Sequence, residues 1–146
     1  ATMSRIPTPI DPPSIPTSPA FAQGMLVPAG PLLFVGGQNG IAADGTIVKG
    51  LAAQTAQALR NVKAALAQAG TDPEHVAKLT IYLTQGVDAN EAYAASVDEW
   101  PYRTAVTVVS VALSRPDILV EIEAVATVPE TTAPQQPAGG MFWVAG

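Results

Sequence analysis

The chain contains no cysteine and only one histidine, His75. The missing cysteines exclude disulfides, thiolate nucleophiles and cysteine-ligated zinc. A lone histidine in a turn after Asp72, Pro73 and Glu74, with no second ligand at helical spacing, leaves no metal site. It reads as a solvated or capping residue. A serine triad would need it as base together with a nucleophile elbow, and neither has the required sequence context. Cations are scarce as well. Seven Lys and Arg stand against twelve Asp and Glu, a formal net charge of -5, with no basic stripe to release counterions from phosphate, so direct nucleic-acid binding is not expected. No apolar run approaches the roughly 18 residues of a membrane span, and no basic segment precedes an apolar stretch and a cleavage site. The expectation is a soluble, cytoplasmic protein without a membrane partner.

What is present divides the chain into three parts. At 146 residues it fits one domain. Pro7, Pro9, Pro12, Pro13, Pro16 and Pro19 remove backbone donors and restrict φ, so residues 1–18 read as an extended arm in which neither helix nor inner strand forms. Residues 19–129 carry the periodic apolar pattern of a folded domain. Residues 130–146 read as a flexible tail, with Thr131, Thr132, Pro134, Gln135, Gln136 and Pro137 too polar to order themselves. The apolar end Met141 to Val144 is either a docking segment or an appended one.

Within the domain, Met25 to Val27 and Leu32 to Val35 read as strands joined by a turn at Pro28 to Pro31, and Asp44-Gly45 as a tight turn. Leu51, Thr55, Leu59, Val62, Leu66 and Ala69 recur at helical spacing and Gly70 stops them. Val76 to Leu83 is a strand. Asp88 with Glu91 begins a second helix that ends near Trp100. Ala105 to Val111 and Leu119 to Val128 complete the set as strands, separated by a loop with Arg115, Pro116 and Asp117. The order predicts an α+β fold, a sheet of about five or six strands with two helices on one face. Val120, Ile122, Ala124 and Ala126 alternate with Glu121, Glu123 and Val125, so the second sheet face is also partly apolar and calls for self-association.

Few side chains in this pattern carry chemistry. Arg103, in Pro101-Tyr102-Arg103-Thr104, offers a planar fork that can hold a carboxylate with two hydrogen bonds, although position alone equally suits an ion pair. Glu121 and Glu123 share one strand face, where a carboxylate is costly unless it is paired or functional. Gly36-Gly37-Gln38-Asn39-Gly40 lacks the following helix and the Gly-Lys-Ser/Thr of a phosphate loop and reads as a strand-to-turn segment.

Taken in order, several segments resemble the RidA (YjgF/YER057c/UK114) family. They are Phe34-Val35-Gly36-Gly37-Gln38, Gln54 through Asn61-Val62, Lys78-Leu79-Thr80-Ile81-Tyr82-Leu83, Asn90 with Tyr93, Pro101-Tyr102-Arg103-Thr104 and Val120-Glu121-Ile122-Glu123-Ala124. The resemblance runs from about Pro19 to Val128 and implies a chorismate-mutase-like homotrimer with clefts between subunits. It implies hydrolytic deamination of reactive 2-enamine and 2-imino acids, of the 2-aminoacrylate and 2-iminobutanoate type, to 2-keto acids and ammonia without a cofactor or metal. Carried over, Arg103 binds the substrate carboxylate, Glu121 positions water, and Phe21, Gly36, Gly37, Asn90, Thr104 and Ala105 contribute to the substrate site. The family pattern has tyrosine, serine and cysteine where Phe21, Gly36 and Ala105 stand, and a longer connection between Tyr93 and Pro101. A non-catalytic trimer that binds small carboxylates, with a regulatory or protective role, is the alternative these departures suggest.

Overall fold

The computed structural model describes residues 4–129. The flexible tail expected at 130–146 lies outside these residues. Six strands and two α-helices occur in the order β1 (Thr8–Ile10), β2 (Gly24–Leu26), β3 (Leu32–Asn39), α1 (Leu51–Gln68), β4 (Val76–Leu83), α2 (Ala89–Glu99), β5 (Ala105–Ser110) and β6 (Val120–Thr127). The architecture is α+β, with both helices against one face of a mixed sheet. Its strands divide four and two. β3, β6, β4 and β5 lie side by side in that order, β4 and β5 parallel and the rest antiparallel, while β1 and β2 form a separate ribbon. The expected pairing across Pro28 to Pro31 therefore does not form. β2 turns back to β1 instead, and a single bridge from Ala22 to Ala105 ties the ribbon's end to the main sheet.

Local chemistry explains the element boundaries. α1 buries Leu51, Thr55, Leu59, Val62 and Leu66, one stripe at three- and four-residue steps, and Gly70 follows it in the left-handed region at φ 77°. The Asp88 side chain accepts the Asn90 amide at 2.9 Å and caps α2. The parallel β4–β5 pair needs a crossover, and α2 supplies it. Val120, Ile122, Ala124 and Ala126 of β6 face α1 and are buried, whereas Glu121, Glu123 and Val125 face the other way, toward a sheet surface that no described element covers. On that open face Phe34 is 71% exposed.

Gln54 is buried and links three segments. Its Nε2 donates to the carbonyls of Val48 and Asp117, and its Oε1 accepts the Leu119 amide at 2.8 Å, which fixes the entry to β6. The proline-rich arm is held by Arg5. Its guanidinium, 3% exposed with the rest of the residue, donates to the carbonyls of Pro28, Ala29, Pro31 and Val128 at 2.7–3.0 Å. Gly30 sits at φ 138°, and a β-carbon there would lie 2.3 Å from Arg5 Cζ. His75 corrects the expectation of a solvated residue: it is buried at the base of β4, with Nδ1 2.8 Å from Asp72 Oδ1. Gly36 and Gly37 occupy a bulge inside β3, where the register shifts between Val35 and Gln38, rather than a turn after it.

Candidate functional site

Arg103 stands between α2 and β5 on a backbone fixed from both sides. Trp100 Nε1 donates to Thr104 Oγ1 at 3.3 Å, the Trp100 and Tyr102 rings meet edge to face at 5.3 Å, and the Ala22 amide donates to the Thr104 carbonyl at 3.0 Å. Thr104 is accordingly buried, with its hydroxyl turned inward. Arg103 reaches the opposite way, toward the arm. Its Nη1 donates to Asp11 Oδ2 at 2.6 Å, and Nη2 and Nε donate to the Ser18 carbonyl at 2.9 and 3.3 Å. Arg103 thus meets a carboxylate of the same chain through one hydrogen bond, its other two nitrogens donating to the Ser18 carbonyl, rather than through the expected two-bond fork.

The Arg103 hydrogen bond, joined by the Gln23 amide at 3.1 Å, holds the Asp11 carboxyl below the ordinary carboxylate range. A lowered folded value means that the pair stabilises the arm at all pH values above the unfolded carboxyl range near ~4 and is lost as pH falls through the lowered value. The Asp11–Arg103 pair is thus formed at neutral pH.

Glu121 lies at the other end of the sheet. It pairs with Tyr82 on β4 and Asn39 on β3, whereas Ala105 pairs with Lys78. Four residues of β4 separate those positions, about 13 Å at a strand rise of about 3.3 Å, and Arg103 stands two residues further back. Gly37 crosses directly over Glu121: a β-carbon at position 37 would lie 2.6 Å from Glu121 Cδ, so only glycine leaves the carboxylate its room. The neighbouring Glu123 is engaged, accepting from the Tyr82 hydroxyl at 2.5 Å. That bond, followed by burial and the charges of Glu123 and Glu121, raises the Tyr82 pKa and keeps the phenol a donor. Asn90 is exposed in the first turn of α2, beyond the same end of β4.

The candidate residues therefore form two groups. Arg103, Phe21, Thr104 and Ala105 stand toward one end of the sheet and Gly37 and Glu121 toward the other, where Asn90 lies on the helix side while Glu121 faces away from the helices. Gly36 is exposed beside Phe34, Lys78, Thr80 and Glu123 around a concavity of about 370 Å³ on the open face. Sequence reasoning missed Asp11 and Ser18 as Arg103 partners. Asp11 is the one carboxylate in the arm, which was the only available signal. It also missed a larger cavity of about 480 Å³ between α2 and the β4–β5 edge, with Arg103 in its wall.

Comparisons with known proteins bear on the family and the fold. The family model described as Endoribonuclease L-PSP matches residues 14–128. A RutC family protein of Pyrococcus horikoshii is 42% identical over 106 residues, covering 68% of this chain and 82% of that one. A solved structure of a Rid-family protein of unknown function from Yersinia pestis superposes with a TM-score of 0.76 at 30% identity, over 84% of this chain and 99% of that chain. A second, from Mycobacterium tuberculosis and described as a member of the YjgF/YER057c/UK114 family, gives a TM-score of 0.55 at 33% identity over 74% and 86%. With the family model spanning residues 14–128 and these relatives in agreement, the chain belongs to the Rid (YjgF/YER057c/UK114) family.

Proposed function

We propose that the protein hydrolyses 2-imino and 2-enamino acids to 2-keto acids and ammonia, at sites that join Arg103 of one copy to Glu121 of another in a homotrimer. The observation that carries this reading is the Arg103 fork, partly exposed and already binding a carboxylate at 2.6 Å. In the reaction, the substrate carboxylate takes the place of Asp11. Water adds to C2 of the iminium, with Glu121 accepting a proton from it and returning that proton to the amine nitrogen. The C2–N bond then breaks, and as C2 becomes a carbonyl its hydroxyl gives the remaining proton to Glu121 and so to the departing ammonia, which leaves as ammonium. Positioning and charge supply the rate. The separation of Arg103 from Glu121 along one sheet and the uncovered apolar face both favour assembly from several copies.

The test is release of ammonia and 2-keto acid from 2-iminopropanoate generated in situ, measured against the spontaneous background. Acceleration supports the reading. Saturable binding of pyruvate without turnover would replace it with the carboxylate-binding alternative, which the absence of hydroxyl and thiol groups at Phe21, Gly36 and Ala105 favours. Cleavage of RNA, the activity in the matched family's description, finds little support. Arg5 is buried, and Arg60, Lys63, Arg103 and Arg115 each face a carboxylate, which leaves of the seven cations only Lys49 and Lys78 neither buried nor paired with a carboxylate among the described residues, too few to neutralise a phosphate backbone.

Three expected results follow from these placements. Asp11→Asn weakens the resident competitor, so KM for the imino acid falls by up to about fivefold while kcat holds, as steady-state kinetics will show. Gly37→Ala drives the Glu121 side chain from its place and lowers kcat by about a hundredfold, close to the loss in Glu121→Gln, with the thermal midpoint little changed in a melting scan. Phe34→Asp places a charge on the open face. Sedimentation should then report a species of the 14.9 kDa chain mass instead of a trimer, with activity lost and the far-UV spectrum retained.

A further inference from the structure

α2 is poor in bulk where it faces the sheet. Ala89, Ala92 and Ser96 repeat at helical spacing along its inner side, and only Ala92 of the helix is buried. Beneath it, Leu79 and Ile81 of β4 and Val106 and Val108 of β5 form an apolar floor that α2 does not fill, and Val108 remains 53% exposed. The result is the cavity of about 480 Å³, within the roughly 300–1,000 Å³ typical of small-molecule pockets. Two of its hydroxyls are already engaged within the fold: Thr55 Oγ1 donates to the Leu51 carbonyl at 2.8 Å and Ser96 Oγ to the Tyr93 carbonyl at 2.7 Å. Four of the chain's eight aromatic residues, Phe21, Tyr93, Trp100 and Tyr102, border it. Arg103 is the single charged residue among the described lining residues.

We infer that this cavity receives the side chain of the substrate whose carboxylate Arg103 holds, and that the preferred substrates are 2-imino acids bearing branched-aliphatic or aromatic side chains. This deepens the reading of Arg103 as the carboxylate fork and rests on it. One cation at the rim of an otherwise apolar, aromatic-lined space fits a monoanion with an apolar tail. A one- or two-carbon side chain leaves most of the volume empty. A second acidic group would meet no second cation there, and a cationic tail would face Arg103 in an apolar wall.

The experiment uses the full chain and stable 2-oxo acids as probes, with binding read by calorimetry. Phenylpyruvate and 4-methyl-2-oxopentanoate should bind at least about tenfold tighter than pyruvate. Ala92→Phe, which fills the cavity from α2, should abolish that preference while leaving pyruvate binding intact. Val108→Trp at the exposed mouth gives the same result if the first variant does not fold. Arg103→Ala should weaken all three acids. Equal affinity for the three, with Arg103 still required, overturns the side-chain pocket and leaves the carboxylate fork standing. Binding that is indifferent to Arg103→Ala overturns the fork itself. If the preference emerges only in a Phe142→Ser/Trp143→Ser variant, the chain's own apolar tail occupies the cavity and the substrate assignment fails.

Discussion

Arg103→Ala should lower kcat/KM for 2-imino acids by about two to three orders of magnitude, and Arg103→Lys should recover little of the loss. Arginine presents two parallel donors on one plane, whereas a lysine ammonium offers a point charge that cannot hold the carboxylate in a single orientation. Loss of a charged, orienting contact removes roughly 3–4 kcal/mol of transition-state stabilisation, which converts to that factor. The same substitution unties Asp11 and the Ser18 carbonyl, so a structural explanation has to be separated from a functional one. Asp11→Ala provides the control. It breaks the same arm contact but retains the fork, and its kcat/KM should equal or exceed that of the unmodified chain. If both variants lose activity alike, Arg103 acts only as an anchor for the arm and the proposed carboxylate role falls.

The largest effect on stability is expected at Arg5. Four carbonyls converge on one buried guanidinium, Val128 through a fully buried bond and Pro28, Ala29 and Pro31 through partly buried ones, and Arg5→Ala removes the donor of all four. The cost of losing these bonds together with the buried stem is about 2–4 kcal/mol, on the order of 10 °C in thermal midpoint for a domain of this size. Arg5→Met should cost less, since it restores volume and apolar contact along the stem. Gly30→Ala should also destabilise, through its φ of 138° and its collision with the guanidinium, and the double variant should lose less than the two single losses combined. Chemical denaturation of the four proteins measures that coupling directly. Strict additivity would show that Gly30 and Arg5 act apart.

Most of the domain could be read in advance because local chemistry and tertiary packing agree there. The α1 stripe, the Gly70 stop, the Asp88 cap and the Val76–Leu83 strand each have a side-chain period or a capping residue that names them. Residues 5–30 were less legible. Prolines correctly forbid helix and inner strand, yet they allow the short outer ribbon that pairs Thr8 with Leu26, and no local signal announces that partner. Arg5 is similarly silent, because its acceptors are backbone carbonyls up to 123 residues distant and carbonyls carry no sequence signature. His75 misled for a related reason: the turn context suggests solvent, but burial is decided by the sheet edge beneath it. At the site, the fork of Arg103 was visible as chemistry, whereas its occupancy by Asp11 across 92 residues was not. The cavity under α2 escaped notice because a run of small residues reads as helix propensity rather than as empty space.

The Arg5 clamp also bears on how the chain acquires its fold. Arg5 Nη1 meets the Val128 carbonyl and Thr127 Oγ1 donates to the Arg5 carbonyl at 2.6 Å, so the two contacts close loops of nearly the whole domain. β6, placed between β3 and β4, is likewise the last of the described strands in chain order and one of the two inner strands of the four-stranded sheet. A nascent chain halted before Val120 has α1 and the β4–α2–β5 unit but no strand to join β3 to them, and the arm has no Val128 to grip. Such closure of distant segments makes folding slow relative to a helical bundle and concentrates it in a single late step. Until that step the apolar edges of β3 and β4 stand unpaired, the interval in which a protein of this topology is most exposed to aggregation during synthesis.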